Sequence, residues 1–333
     1  MPPVLLLAIS FAIILAGALF FTNAVEWMGH RLAMGQGAVG SLLAAVGTAM
    51  PETLIPIVAI IGGAEGAEDV AIGAIIGAPF LLATLAMALV GGSALIYRNR
   101  REQGTELRAH APTLERDLRF FLIFFALGIA IGAAPLPAFL QIPMAVLFVV
   151  AYGTYVRRTL REGGDVQEAE DIGPLILDRT PHEGDPKLSL IVIQLVAGLA
   201  AIVGGAHLFV EELLIVAEDV GIEPLVLSLI LAPLATELPE KANSFFWVRE
   251  GKDALALGNI TGAMVFQSTL PIAVGLVLTE WDLSRFAVVS GILGLVGGVI
   301  AYFAMHKRNR FQWPSILAWA GLFAAFLVYV LAS

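Results

Sequence analysis

Residues 47–52 read Gly-Thr-Ala-Met-Pro-Glu, and residues 235–240, 188 positions later, read Ala-Thr-Glu-Leu-Pro-Glu. A second matched pair follows: residues 71–78 read Ala-Ile-Gly-Ala-Ile-Ile-Gly-Ala, and residues 256–263, at an offset of 185, read Ala-Leu-Gly-Asn-Ile-Thr-Gly-Ala. The loops between the motifs absorb the three-residue difference between the two offsets. Two matched motifs in the same order indicate an internal duplication. We therefore predict that the chain consists of two related halves.

The chain is strongly apolar around and between these motifs. Hydrophobic residues make up 58% of the 333 positions and charged residues only 14%, with a mean hydropathy of +0.86. Soluble domains carry about 25% charged residues, so this composition indicates a chain that folds in a lipid bilayer. Ten stretches can cross a hydrocarbon core of roughly 30 Å, and they predict an all-α polytopic fold with ten transmembrane helices. They lie near residues 3–22, 38–62, 70–97, 119–134, 137–156, 188–210, 224–248, 254–278, 286–305 and 312–332.

The hydrophilic stretch 157–187 separates five predicted spans in residues 1–156 from five in residues 188–333. An odd number of spans makes the second half enter the membrane from the opposite side, which gives an inverted-topology repeat. With the N-terminus outside, 17 of the 19 Lys and Arg residues lie on the inner side, as the positive-inside rule requires. We predict a multi-pass protein of the cell (plasma) membrane with both termini outside. The linker is then cytoplasmic, and its irregularly spaced acids are typical of a solvated, flexible connector.

Glu52 and Glu240 occupy matched positions well inside predicted spans two and seven. Burial of an ionised carboxylate in hydrocarbon is costly, so such residues normally face a polar cavity and mark an ion or proton path. The alternative is a protonated carboxylic acid that is hydrogen-bonded between helices. Thr48 and Thr236 precede the two glutamates by four residues, which places each hydroxyl on the same helix face as a carboxylate.

Pro51 and Pro239 stand directly before the two glutamates. Proline lacks an N–H group and clashes with the carbonyl four residues earlier, so we expect broken helices that free the carbonyl groups of Gly47 and Ala235. Irregular backbone is tolerated in a membrane where it lines a cavity. Each half would then contribute a carboxylate, a hydroxyl and free carbonyl groups at mid-depth. Such an all-oxygen site suits hard cations such as Ca²⁺, and two carboxylates balance one divalent ion.

Span seven also carries Glu237 and Lys241, spaced i and i+4 with the acid first, which is the favourable order for an ion pair. This pair would leave Glu240 free to bind an ion. Alternatively, Lys241 could occupy the position of a bound monovalent cation, or Glu237 could be a third ligand. The acids Glu52, Glu237 and Glu240 would also repel one another if they lie close together, which favours proton uptake by one of them.

Two glycine pairs, Gly73 with Gly77 and Gly258 with Gly262, have the spacing that lets helices approach closely. We predict that they hold spans three and eight against spans two and seven. The chain has no cysteine, so a disulfide framework and a thiolate metal site are excluded.

The Gly-Thr-x-x-Pro-Glu and Ala-x-Gly-x-x-x-Gly segments resemble the paired alpha repeats of the calcium/cation antiporter superfamily, in particular its sodium/calcium exchanger branch. The resemblance covers nearly the whole chain, including the ten spans, the central cytoplasmic linker and the outside termini. It implies that Glu52, Glu240, Thr48 and Thr236 ligate Ca²⁺ and Na⁺. It also places Gln267 at a ligand position of span eight. In that family, the first helix of each half is expected to slide past a rigid core.

The sequence departs from the exchanger pattern at positions that supply side-chain oxygens in typical sodium/calcium exchangers. Ala49 and Glu237 stand where a serine follows the motif threonine. Ala78 and Leu82 in span three, and Ala263 in span eight, replace further polar residues. Coupling to several Na⁺ ions is therefore in doubt, and coupling to H⁺ competes with it.

We expect a secondary antiporter that exchanges Ca²⁺ for Na⁺ or H⁺ by alternating access, with inorganic cations and the lipid bilayer as its partners. Exchange of another divalent metal without Na⁺ dependence is an alternative. The sequence has no phosphate-binding Gly-rich motif with Lys and Ser or Thr, and we expect no nucleotide, nucleic acid or cofactor. An intramembrane enzyme with the glutamates as acid and base would lack any His-Glu-x-x-His motif. A passive channel would need a continuous polar pore, and span three is too apolar for one.

Overall fold

Ten helical stretches correspond to the ten predicted spans in the part of the chain that the structure describes, which confirms the all-α polytopic prediction. The computed structural model describes residues 2–31, 44–106, 111–134, 136–161, 173–178, 185–308 and 312–332, except the side chains of residues 44–50, 111, 160, 238–240, 242–243 and 307–308. The first half contains α1 (Pro3–Arg31), α2 (Ala44–Gly62), α3 (Ala67–Leu81) with a π-helical turn (Leu82–Ala86) and α4 (Met87–Ile96), α5 (Ala111–Ala133) and α6 (Ala138–Arg161). The second half contains α7 (Leu188–Val220), α8 (Pro224–Arg249), α9 (Asp253–Gln267) with α10 (Leu270–Leu278), α11 (Arg285–Arg308) and α12 (Trp313–Ala332).

The helices differ in how well they fit a bilayer by composition. Seven of the described stretches are long and apolar enough to cross a membrane. The apolar parts of α2 and α8, Pro51–Gly62 and Pro224–Glu237, are shorter. α5 begins with charged turns that contain Glu115, Asp117 and Arg119 before its apolar run. The weaker spans are thus those that carry motif acids or charged helix starts.

Spans three and eight are interrupted at matched positions. The π-helical turn Leu82–Ala86 separates α3 from α4, and Ser268 and Thr269 separate α9 from α10. Thr84 and Thr269 are 185 positions apart, and each hydroxyl donates a hydrogen bond to the carbonyl oxygen four residues earlier, at 2.7 and 2.9 Å. Hydroxyl groups of this kind help irregular helices to persist in membranes. The matched interruptions support the internal duplication.

The helix breaks expected at the motif prolines do not occur. α2 continues through Pro51, and α8 continues through Pro239. A proline removes only one backbone hydrogen bond, and α3 packs against both α2 and α8, which keeps the flanking turns in place. The prediction of broken helices is therefore wrong for these spans. The carbonyl groups of Gly47 and Ala235 lose the proline N–H donor but remain in helical backbone.

The two halves interlock where α3 packs directly against the backbone of α8. A Cβ atom added at Gly73 would overlap the carbonyl oxygen of Leu225, and one added at Gly77 would overlap that of Leu229. Only glycine allows helices to approach this closely. The predicted close packing of the first glycine pair is therefore confirmed, and span seven is the helix that it contacts.

The second glycine pair has no comparable neighbour among the described atoms. No described atom lies within 4 Å of a Cβ atom added at Gly258 or Gly262. The positions that match Leu225 and Leu229 at the offset of 188 precede α2 and lie outside the described residues. Close packing of span eight against span two stays a prediction.

The first helix of each half is unusually long, with 29 residues in α1 and 33 in α7. At about 1.5 Å per residue, both helices are longer than the thickness of a hydrocarbon core, which is roughly 30 Å. They contact each other through glycine. A Cβ atom at Gly17 would lie 2.9 Å from the Ile202 nitrogen, and one at Gly198 would lie 2.7 Å from the Phe21 nitrogen. α1 and α7 therefore form one closely packed pair.

Part of the central linker folds onto this helix pair. Leu175, within residues 173–178, is buried against residues of α1 and α7. Gln194 of α7 accepts a hydrogen bond of 2.9 Å from the Leu177 backbone nitrogen and donates one of 2.9 Å to Asn23 Oδ1 of α1. The prediction of a solvated, flexible connector is thus wrong for this segment, because polar side chains inside the spans bind its backbone.

Candidate cation site

Polar residues of α8 and α9 meet in a buried cluster among the membrane-spanning helices. Lys241 Nζ lies 3.4 Å from Glu237 Oε2, and the two side chains are 0% and 2% exposed. Gln267 Nε2 donates a hydrogen bond of 3.1 Å to Glu237 Oε1, the other carboxylate oxygen. Of the interpretations open for Glu237 and Lys241, the ion pair is the arrangement present in the structure. Its carboxylate is held at both oxygens.

Gln267 combines a buried side chain with an interrupted helix. It is the last residue of α9, and Pro271 lacks the N–H group that would bind the Gln267 carbonyl in a continuous helix. The side chain is 1% exposed, and its Oε1 atom has no hydrogen-bond partner among the described residues. A buried acceptor without a hydrogen-bond partner costs free energy, which a bound cation would offset. This oxygen is therefore well suited to serve as a cation ligand.

Glu52 is buried on α2, with 6% of its surface exposed. Its repeat counterpart Glu240 lies three residues after Glu237 on α8, less than one helical turn away. The side chains of Glu240 and Thr48, like the surroundings of Gly47, lie outside the described residues. Within the described part, no three His, Asp or Glu side chains are arranged to hold a metal ion. The predicted meeting of the two glutamates therefore stays a prediction.

Thr236 and Ala235 lie about one turn before Glu240. The Thr236 hydroxyl donates a hydrogen bond of 3.1 Å to the Ala232 carbonyl oxygen, so its proton is used within the helix and its lone pairs stay available to a cation. Ala235 is buried, and Pro239 removes the N–H group that would bind its carbonyl oxygen. Both predicted ligands thus have an oxygen atom that can coordinate a cation.

A buried aspartate that the sequence pattern missed connects the scaffold to α9. Asp117 of α5 accepts a hydrogen bond of 2.5 Å from the Tyr155 hydroxyl and one of 2.9 Å from the Thr261 hydroxyl. Thr261 belongs to the second glycine motif, so this network fixes the position of α9. Asp117 lies two residues before the predicted start of span four near residue 119, so the hydropathy pattern gave no sign of its burial.

A second missed contact holds the N-terminal end of α9. Arg101 Nη2 lies 2.6 Å from Asp253 Oδ2, and both side chains are fully buried. Arg101 Nη1 also donates a hydrogen bond of 2.6 Å to the Val248 carbonyl oxygen at the end of α8. The sequence pattern counted Arg101 only as one of the basic residues that orient the protein. A pairing partner in the other half could not be identified from spacing.

Acidic residues surround a polar cavity of about 300 Å³ at the predicted outer ends of spans three and eight. The acids that line it are Glu68, Asp69, Glu280 and Asp282. The Glu280 backbone nitrogen donates a hydrogen bond of 2.8 Å to Glu68 Oε1, so loops from the two halves meet here. A cluster of negative charge raises the local concentration of cations. The cavity therefore attracts cations to this end of the two spans.

The chain matches a known protein family over almost its whole length. A family model described as sodium/calcium exchanger protein matches residues 2–160 and 190–332. The chain is 23% identical over 258 residues to the inner membrane protein YrbG of Escherichia coli, a match that covers 75% of this chain and 71% of that protein.

Two solved structures show the same fold. The crystal structure of the H⁺/Ca²⁺ exchanger CAX superposes with a TM-score of 0.76 at 19% identity and covers 99% of this chain and 82% of that chain. The sodium-calcium exchanger NCX_Mj, soaked with Na⁺ and Sr²⁺, superposes with a TM-score of 0.59 at 19% identity and covers 98% of each chain. At this level of identity, the likeness establishes architecture alone.

Proposed function

Because the chain belongs to the sodium/calcium exchanger family, we propose that it is a secondary active antiporter that exchanges Ca²⁺ for Na⁺ or H⁺ by alternating access. Burial of Glu52 among the membrane-spanning helices, at the position that recurs as Glu240 in the inverted half, carries this proposal. A buried carboxylate in such a helix requires a positive charge or a proton nearby, and these are the species that a cation antiporter moves. Structures with this fold include an H⁺/Ca²⁺ exchanger and a sodium-calcium exchanger, by their own descriptions.

The proposed ligands are all oxygen atoms. Glu52 and Glu240 supply the carboxylates, and Ca²⁺ accepts six to eight oxygen ligands in a flexible arrangement. Three further kinds of oxygen complete the shell. They are the hydroxyl groups of Thr48 and Thr236, the carbonyl groups of Gly47 and Ala235, for which the prolines provide no N–H donor, and the amide oxygen of Gln267. Two carboxylates neutralise one divalent ion, so the loaded site carries no net charge to hinder its movement through a low-dielectric region.

Alternating access would be provided by the long helix pair α1 and α7. Its direct glycine contacts make the two helices move as one body, and tilted helices can slide past the interlocked α3 and α8. We infer an orientation with both termini outside and the linker 157–187 in the cytoplasm. In this orientation the first half, residues 1–156, enters the membrane from the outside, and the second half, residues 188–333, enters it from the cytoplasm. The acidic cavity then collects cations from the outer side.

A specific observation favours H⁺ over Na⁺ as the counter-ion. The helix α3 is buried along its length, and Ala78 and Leu82 present no side-chain oxygen to a Na⁺ ion. A carboxylate can accept a proton without further ligands, whereas Na⁺ needs several oxygens. H⁺ coupling, or exchange of another divalent metal without Na⁺, is therefore the second candidate function.

Transport into proteoliposomes tests the proposal. Purified protein would be reconstituted, and uptake of ⁴⁵Ca²⁺ measured under an imposed Na⁺ gradient and, separately, under an imposed pH gradient. Competition by Mg²⁺ and Mn²⁺ identifies the preferred divalent ion. Wild-type protein should accumulate Ca²⁺ under at least one gradient, and Glu52→Gln and Glu240→Gln should each reduce uptake to the level of protein-free vesicles.

The exposed Glu250 provides the matched control, since Glu250→Gln changes the same chemical group outside the site. This variant should transport like the wild type. Uptake that survives in both Glu52→Gln and Glu240→Gln would refute the assignment of the site. Ca²⁺ flux that dissipates without any counter-ion gradient would indicate a channel instead.

A further inference from the structure

The two halves are not equivalent at the level of the proposed site. Three polar side chains of the second half, two of which contact the third, replace two apolar residues and one threonine of the first half. At the offsets of the two motif pairs, the correspondences are Lys241 with Thr53, Glu237 with Ala49, and Gln267 with Leu82. A duplicated site has thus gained an internal acid and an internal base on one side only.

The contacts of this cluster show that the added charges are built into the fold. Lys241 and Glu237 are almost fully excluded from solvent, and their charged atoms are 3.4 Å apart. The Gln267 amide holds the opposite carboxylate oxygen at 3.1 Å. Buried charges persist where they are paired and hydrogen-bonded, since desolvation penalises an isolated ion. Both members of the pair are therefore held in position.

The cluster adjoins the proposed ion site along the helix. Glu240 lies three residues from Glu237 and next to Lys241, and residues three or four apart share a helix face. A positive charge in this layer would have the effect of a bound monovalent cation, except that it cannot leave.

Provided that the chain is the antiporter proposed above, we propose that the Lys241 ammonium group is a tethered cation that neutralises Glu237 and sets the exchange at one divalent cation for two monovalent charges. With Glu237 paired, Glu52 and Glu240 are the carboxylates left for transport. They bind one divalent ion in one direction and two protons, or two Na⁺ ions, in the other. The cycle then moves no net charge.

Removal of the ammonium group should make the exchange electrogenic. In Lys241→Met, the Glu237 carboxylate remains in the same layer and adds a third negative charge to the site. A third monovalent cation then accompanies the return step, so that each cycle moves one net charge. In Glu237→Gln with Lys241→Met, both charges are absent and the balance of the wild type is restored.

The membrane potential distinguishes these cases in proteoliposomes. Steady-state Ca²⁺ accumulation would be measured at a fixed Na⁺ or pH gradient, with valinomycin and K⁺ setting potentials about 100 mV apart. One net charge per cycle changes the accumulation ratio by about 50-fold over this interval, at 59 mV per factor of ten. The wild type and the double variant should show no change, whereas Lys241→Met should approach the 50-fold change. Lys252→Met, at an exposed lysine, is the matched control and should behave like the wild type.

Each outcome is decisive. A wild-type accumulation ratio that follows the potential overturns the inference, and this measurement does not depend on the folding of any variant. A potential-independent Lys241→Met protein that still transports Ca²⁺ overturns it as well. Absence of divalent-cation exchange in the wild type refutes the proposed function itself, together with the tethered cation.

Discussion

The interlock between α3 and α8 can be tested by one added methyl group. In Gly77→Ala, the new Cβ atom would overlap the Leu229 carbonyl oxygen and lie 2.9 Å from both the carbonyl carbon and the Cα atom of Leu229. All three are backbone atoms within a helix, so the overlap is relieved only if the two helices move apart. Overpacking of this kind costs about 1–3 kcal/mol. Because alanine favours a helix over glycine by about 1 kcal/mol, we expect a net loss of up to roughly 2 kcal/mol. Relative to an alanine that meets no neighbour, the loss should be about 1–3 kcal/mol.

The assay is thermal unfolding in detergent, followed by size-exclusion chromatography of the remaining folded protein. At about 2–4 °C per kcal/mol, Gly77→Ala should lower Tm by up to roughly 8 °C and leave it below that of an unobstructed alanine variant. Gly92→Ala is the control in the same span, since no described atom lies within 4 Å of its added Cβ. This control should leave Tm unchanged or raise it slightly. A Tm of Gly77→Ala equal to that of Gly92→Ala would refute the close backbone contact.

Three further predictions concern contacts that position the site. Gln194→Ala should release the linker from α1 and α7. A cysteine introduced by Leu175→Cys, which would be the single thiol in the chain, should therefore react with a maleimide several-fold faster in the Gln194→Ala background than in the background with Gln194 intact. Equal rates in the two backgrounds would contradict the docking. Asp117→Asn should lower stability by about 1–3 kcal/mol, because its hydroxyl donors lose a charged acceptor, and an unchanged Tm would argue against the network. Arg101→Met alone should cost about 3–5 kcal/mol by leaving a buried charge, whereas Arg101→Met combined with Asp253→Leu should recover most of it; additive losses in this double-mutant cycle would exclude the pairing.

The sequence predicts the architecture well because hydropathy, positive charge and repetition are local signals. Span boundaries follow from the length that a bilayer requires, and the matched motifs reveal the duplication without any knowledge of contacts. The spacing of Glu237 and Lys241 likewise identifies an ion pair within one helix. The glycine spacing of Gly73 and Gly77 identifies a close contact but not which helix supplies it.

The remaining features depend on which segments meet in space. Arg101 with Asp253, and Asp117 with Thr261, are far apart in the chain, and one-dimensional patterns carry no information about such pairs. The docked linker depends on amide side chains inside α1 and α7 that look like isolated polar residues in a span. The continuity of the helices through Pro51 and Pro239 was missed for a related reason, since packing against neighbours decides whether one lost hydrogen bond breaks a helix.

Diffraction from crystals soaked with Sr²⁺, a heavier substitute for Ca²⁺, tests the paired glutamates most directly. We expect one anomalous peak between α2 and α8, with no such peak in Glu52→Gln crystals. Oxygen atoms of both Glu52 and Glu240 should ligate the ion, at distances slightly longer than the roughly 2.3–2.6 Å that is usual for Ca²⁺. An ion bound elsewhere, or two carboxylates too far apart to share it, would contradict a transport site formed by the inverted halves.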